Sequence, residues 1–154
     1  PADRTIILVE NPANATGYLD VFQVWVETTA MANLLIGTFS GSGTSYNDRD
    51  YETIGAVAAG SLQTFSGKNC DVETGDFLGY YDLTGTMSRD TSGSGLYAVS
   101  GNKFGTGSAT YSLTASRTIS AYATGIEPSG HPAIKRMGGV PFARSVNAKG
   151  VNVW

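Results

Sequence analysis

Two clusters of carboxylates are the residues best placed to do chemistry. Asp48, Asp50 and Glu52 alternate in the run NDRDYE, and Asp71, Glu73 and Asp76 fall in CDVETGD. Acids spaced this way on a strand edge or around a turn could supply oxygen ligands to calcium, with Asp48, Asp50, Asp71, Glu73 and Asp76 as the candidate set. Two of them could also hydrolyse a glycosidic bond if the fold held them face to face across a sugar. The competing use is structural. Asp in a glycine-rich turn accepts backbone N–H groups, and strand acids face water, here with Arg49 close by. That use is the expectation, and no metal or cofactor is assigned.

Other catalytic groups are scarce. His131 is the single histidine, in the turn Ser129-Gly130-His131-Pro132, and a triad would need a nucleophile and an orienting carboxylate beside it. The chain has no G-x-S-x-G elbow and no metal-ligand spacing of His or Cys. Cys70 is the single cysteine, so it cannot form an internal disulfide and reads as a buried, inert thiol. Gly41 to Ser45 is glycine-rich but lacks the lysine and the following helix of a phosphate-binding loop. These residues point away from an enzyme.

The elements that must carry these groups are strands. Gly, Ser and Thr fill 20, 15 and 17 of the 154 positions, while charged residues make up only 15%. Such a composition is poor for helical bundles and suits short strands joined by tight turns. The alternation in Gly17 to Thr29 places Phe22, Val24 and Val26 on one face and Val21, Gln23, Trp25 and Glu27 on the other. Strands are also expected at 4–10, 31–40, 108–114 and 118–124, with hairpins over 51–65, 70–83 and 84–100. Turns are read at Gly67-Lys68-Asn69 and Thr74-Gly75-Asp76, and a loop at 41–45. About ten strands at this spacing predict an all-β, antiparallel sandwich, jelly-roll-like, as a single domain over residues 1–129. No apolar run is long enough to span a bilayer as a helix, and no membrane partner is expected. Pro1 resembles a residue left by removal of an initiator methionine, which points to synthesis in a cytoplasm.

The remainder, 130–154, differs in kind. It holds four of the ten basic residues, Lys135, Arg136, Arg144 and Lys149, and no acid. The net charge of -3 therefore divides into about -7 for residues 1–129 and +4 for the rest. Val140, Phe142, Val151, Val153 and Trp154 make this segment too apolar for a solvated linker, and its glycines and prolines oppose a helix. An extended C-terminal arm fits, either packed as last strands on its own domain or reaching an acidic neighbour. Four charges in a chain with a pI near 5.0 are too few to expect nucleic acid as a partner.

The stretch from Tyr46 to Tyr81 resembles a segment of proteins from tailed bacteriophages and environmental virus sequences. The matching residues are Arg49, Asp50, Glu52, Thr53, Ile54 and Gly55, then Gln63 to Gly67, then Val72, Thr74, Gly75, Asp76 and Gly79. Ser88 to Gly93 and Ala121 to Gly125 extend the likeness to about half the chain. Lys135 to Val140 and Val153-Trp154 resemble the Gly- and Val-rich ends of phage fibre-type proteins. The resemblance implies a virion structural protein, a capsid decoration or a head or tail fibre subunit, made in the host cytoplasm and residing in the virion. Its partners would be copies of itself and major capsid or tail proteins, held through Lys135, Arg136, Val140, Phe142, Arg144, Lys149, Val151, Val153 and Trp154. The alternative is a lectin-like carbohydrate-binding module whose exposed rings, drawn from Trp25, Tyr46, Tyr51, Tyr97, Tyr111 and Tyr122, would stack on a glycan.

Overall fold

The structure, a computed structural model, describes residues 2–128 and 132–139, without the side chains of 132–136. Among the described residues every regular element is a strand: β1 (Arg4–Leu8), β2 (Gly17–Trp25), β3 (Met31–Ser42), β4 (Ser45–Val57), β5 (Leu62–Val72), β6 (Phe77–Asp82) and β7 (Arg89–Asp90). They continue with β8 (Leu96–Ser100), β9 (Ser108–Thr110), β10 (Ser112–Thr114), β11 (Thr118–Ile119), β12 (Ala121–Ile126) and β13 (Pro132–Gly138). All pairings are antiparallel. A seven-stranded sheet has the order β10-β8-β1-β6-β3-β4-β9, a four-stranded sheet the order β13-β12-β2-β5, and β11-β7 form a small ribbon.

The larger sheet nearly closes on itself. Its two ends, β9 and β10, are one stretch of chain parted only by Tyr111, whose N–H bonds the Thr44 carbonyl at 2.8 Å. One half of that stretch pairs with Ser45–Asn47 and the other with Leu96–Ala98. Closure removes most of the free edge and creates a second interior. Strand β1 shows the consequence: Ile6 and Leu8 join the core between the sheets, while Ile7 joins the core inside the curl. A strand covered on both sides must read as a continuous apolar run, which is why RTIIL shows no alternation.

The core between the sheets takes Leu34, Ile36 and Leu78 from one side and Phe22, Val24, Cys70, Ala121 and Met137 from the other. Phe22, Val24 and Val26 are fully buried, as their alternation predicts. The inner core is aromatic. Phe39 lies 4.9 Å from Phe104 between centroids, and Tyr46 meets Tyr111 edge-on at 5.6 Å. Gly79 makes room for this stacking, because a Cβ there would sit 2.5 Å from the Phe39 ring.

Several expected turns are not turns. Gly67, Lys68 and Asn69 form a bulge inside one long β5: Leu19 pairs with Cys70 and Val21 with Ser66, so the extra residues are absorbed without ending the ladder. The 41–45 loop is a two-residue hairpin turn, since Ser42 already pairs with Ser45. The three expected hairpins are crossings instead. β4 and β5 belong to different sheets, as do β5 and β6, and β7 and β8. A sequence shows where a strand ends but not which sheet the next one enters. The antiparallel all-β sandwich stands; the sheet order does not establish a jelly roll.

The first part of the expected arm belongs to the body. β13 pairs with β12, Met137 is fully buried, and the Gly139 N–H bonds the Ala121 carbonyl at 2.8 Å. Gly138 has φ 103°, and a Cβ at Gly139 would overlap the Ile119 carbonyl, so the Gly-Gly pair allows this close approach. Residues 140–154 and His131 lie outside the described residues.

Candidate functional site

The acidic clusters close the sandwich rather than open a site. Asp50 and Glu52 alternate on β4 and each accepts a backbone N–H of β5, Asp71 at 2.8 Å and Asn69 at 2.9 Å. Their spacing of two residues matches the spacing of the amides they hold, so the carboxylates replace a missing strand ladder between the sheets. Thr38 Oγ1 donates to the Asp71 carbonyl at 2.7 Å at the same seam, and Lys68 approaches Glu52 at 3.6 Å. Asp48 accepts the N–H groups of Gly105 and Gly107, pinning the loop that brings Phe104 into the inner core. Asp76 is buried, accepts from Arg49 Nε at 2.5 Å and from the Glu73 N–H at 2.8 Å, while Glu73 meets Arg49 at 2.8 Å.

Of the calcium candidates Asp48, Asp50, Asp71, Glu73 and Asp76, Asp48 thus pins a loop, Asp50 holds the Asp71 backbone amide, and Glu73 and Asp76 share Arg49. Among the described residues no group of three acids, His or Cys could hold a metal. Cys70 lies in the core, and burial followed by the nearby Asp50 carboxylate pushes its thiol far above the ordinary range. Of the rings expected to stack on sugar, Tyr46, Tyr111 and Tyr122 are buried, and Tyr51 leans on Phe104 at 5.0 Å.

The feature missed in the sequence is a cavity of about 240 Å³ between the larger sheet and the β7–β11 ribbon. The four-stranded sheet covers one part of the larger sheet, and the ribbon covers the β6-β1-β8-β10 end. Ile6, Met87, Leu96 and Ile119 give the cavity apolar walls. Tyr80 and Asp82 line it from β6, Arg4 from β1, Arg89 from β7, and Arg117 from the residue just before β11. Arg4 and Asp82 are directly opposed across the β1–β6 ladder, yet no ion pair joins them.

Asp82 is only 3% exposed, and its Oδ1 has no hydrogen-bond partner among the described residues. Desolvation raises its pKa from 3.8 to about 6, outweighing the positive charge of the chain's N-terminus and a backbone hydrogen bond that act the other way, with Asp3 adding to the rise. Burial and then the Asp82 charge push the Tyr80 hydroxyl upward, while Arg89 opposes. A buried carboxylate lining the same cavity as three guanidinium groups, none of them in an ion pair among the described residues, marks a place where burial is not spent on stability. No sequence signal could find it, because Arg4, Asp82, Arg89 and Arg117 are brought together only by the crossing of β6 to the ribbon.

Lys135 and Arg136 lie on β13, the last strand of the four-stranded sheet among the described residues. Val140, Phe142, Arg144, Lys149, Val151, Val153 and Trp154 lie outside the described residues. No protein-family model, curated protein or solved structure matches the chain.

Proposed function

We propose that the chain is a non-catalytic structural subunit of a virus particle, a capsid decoration or fibre component that acts by being held between neighbours. The observation that carries this reading is the position of β13. Among the described residues it is the last strand of its sheet, and it leads into residues 140–154, which are basic and apolar, from residues 1–139 with a net charge of about -5. Such a strand followed by a sticky segment suits strand addition or docking on a second, acidic copy. Both cores and the acid-to-amide seam give a rigid body for that role. The phage-like run Tyr46–Tyr81 supplies the viral context, and its residues build the seam: Asp50 and Glu52 hold β5, and Arg49 holds Asp76.

Co-expression with candidate capsid and tail proteins tests this role. The chain should sediment with assembled particles in a fixed ratio, and removing residues 140–154 should release it. A full-length chain that stays in the supernatant contradicts the proposal. The truncation must begin at 140, because removing residues from 130 onward would also take β13 and the buried Met137 out of the core.

A further inference from the structure

We propose that the cavity under the β7–β11 ribbon binds a small polyhydroxylated carboxylate, such as an acidic sugar unit, with its acid group toward Arg4, Arg89 and Arg117 and its hydroxyl groups toward Asp82 and Tyr80. Three positive groups against one carboxylate leave the cavity attractive to an anion, and guanidinium forks match the two oxygens of a carboxylate. An anion alone would leave Asp82 Oδ1 as it stands, buried and unpartnered. A ligand hydroxyl donating to that oxygen removes the defect, so the occupant must carry donors as well as a charge. The hydroxyls of Thr86 and Thr114 line the same space and suit further hydroxyl groups. Ile6, Met87 and Ile119 receive the C–H faces of a ring. At about 240 Å³ the space is below that of drug-sized ligand pockets and takes a single small ring.

The geometry also says how a ligand enters. Arg89 is exposed on the ribbon, whereas Asp82 lies beneath it. The ribbon is two residues wide on each strand, held by the pairs Thr118–Asp90 and Ile119–Arg89. An acid group arriving at Arg89 and Arg117 would therefore tie the two strands of the ribbon together over the bound ring.

Titration of the full chain followed by amide NMR tests the site, with galacturonate and N-acetylneuraminate as probes and galactose and inorganic sulfate as comparators. At least one acidic sugar should bind with a Kd of about 1 mM or tighter and shift the amides of Asp82, Arg89 and Arg117. Galactose and sulfate should each bind about tenfold more weakly or not at all. Arg89→Gln, an exposed change that leaves the core intact, should weaken acidic-sugar binding about tenfold, and Asp82→Asn should reduce the preference over sulfate. Lys103→Gln removes the same charge elsewhere and should leave binding unchanged. Sulfate binding as well as the acidic sugars reduces the site to a simple anion patch and overturns the proposal. Equal binding of galactose, or no binding of either acid at about 10 mM, overturns it as well.

Discussion

Asp82→Asn should make the protein more stable at neutral pH and leave it nearly unchanged in acid. Burial raises the Asp82 pKa from 3.8 to about 6, so the folded state holds a proton that the unfolded chain has already released between these values. Stability therefore falls as pH rises through that window. The penalty is absent below about pH 3.8 and complete above about 6. Two pKa units at 1.36 kcal/mol each amount to about 3 kcal/mol. Asn has the same shape and no charge to desolvate. The advantage of the variant over the natural protein should accordingly grow from near zero at pH 4 toward an upper limit of about 3 kcal/mol at pH 8. Urea denaturation followed by tryptophan fluorescence at several pH values measures it. Carboxylates far from Asp82 contribute equally to both proteins and cancel in the difference. A difference that stays flat from pH 4 to 8, or a variant that is less stable at pH 8, would refute the assignment of Asp82 as a carboxylate whose burial outweighs its favourable contacts.

Tyr111→Phe should be neutral or stabilising by up to about 1 kcal/mol in the same urea assay, because its buried hydroxyl has no partner among the described residues. Gly79→Ala should cost about 1–3 kcal/mol, since the added methyl meets the Phe39 ring and the Ile6 carbonyl in a filled interior. Asp50→Ala should speed hydrogen exchange at the Asp71 amide while leaving the β3–β4 ladder protected, and equal loss of protection at both would contradict the seam between the sheets. Cys70 should resist thiol reagents in the folded protein and react once it is unfolded; rapid labelling of the native state would show that the larger sheet does not cover it.

The sequence was most legible where one residue's neighbours along the chain decide its fate. The face of Phe22, Val24 and Val26 follows from alternation alone, and the burial of Cys70 follows from its solitude and its strand. The acids at 48–52 and 71–76 were legible as structural groups, because a carboxylate among glycine-rich turns meets backbone amides more readily than a cation. What was not legible depends on sheet choice. Gly67-Lys68-Asn69 has the composition of a turn, but the pairing of Leu19 with Cys70 holds the strand on both sides and turns three residues into a bulge. The aromatic residues look available for stacking on a ligand until β9 and β10 close the larger sheet around Tyr46 and Tyr111. The cavity beneath the ribbon needs Arg4, Asp82 and Arg89 from three strands and Arg117 from the connection into β11, and no local pattern links them.

Sedimentation velocity of the full chain beside the chain ending at residue 139, at low and high salt, tests the role of the basic segment most directly. The full chain should self-associate, and more weakly as salt screens the basic segment from the acidic body, while the shorter chain keeps its β circular dichroism and sediments as a monomer. A full chain that is monomeric at every concentration, or a truncated chain that associates just as well, would contradict an assembly held by residues 140–154.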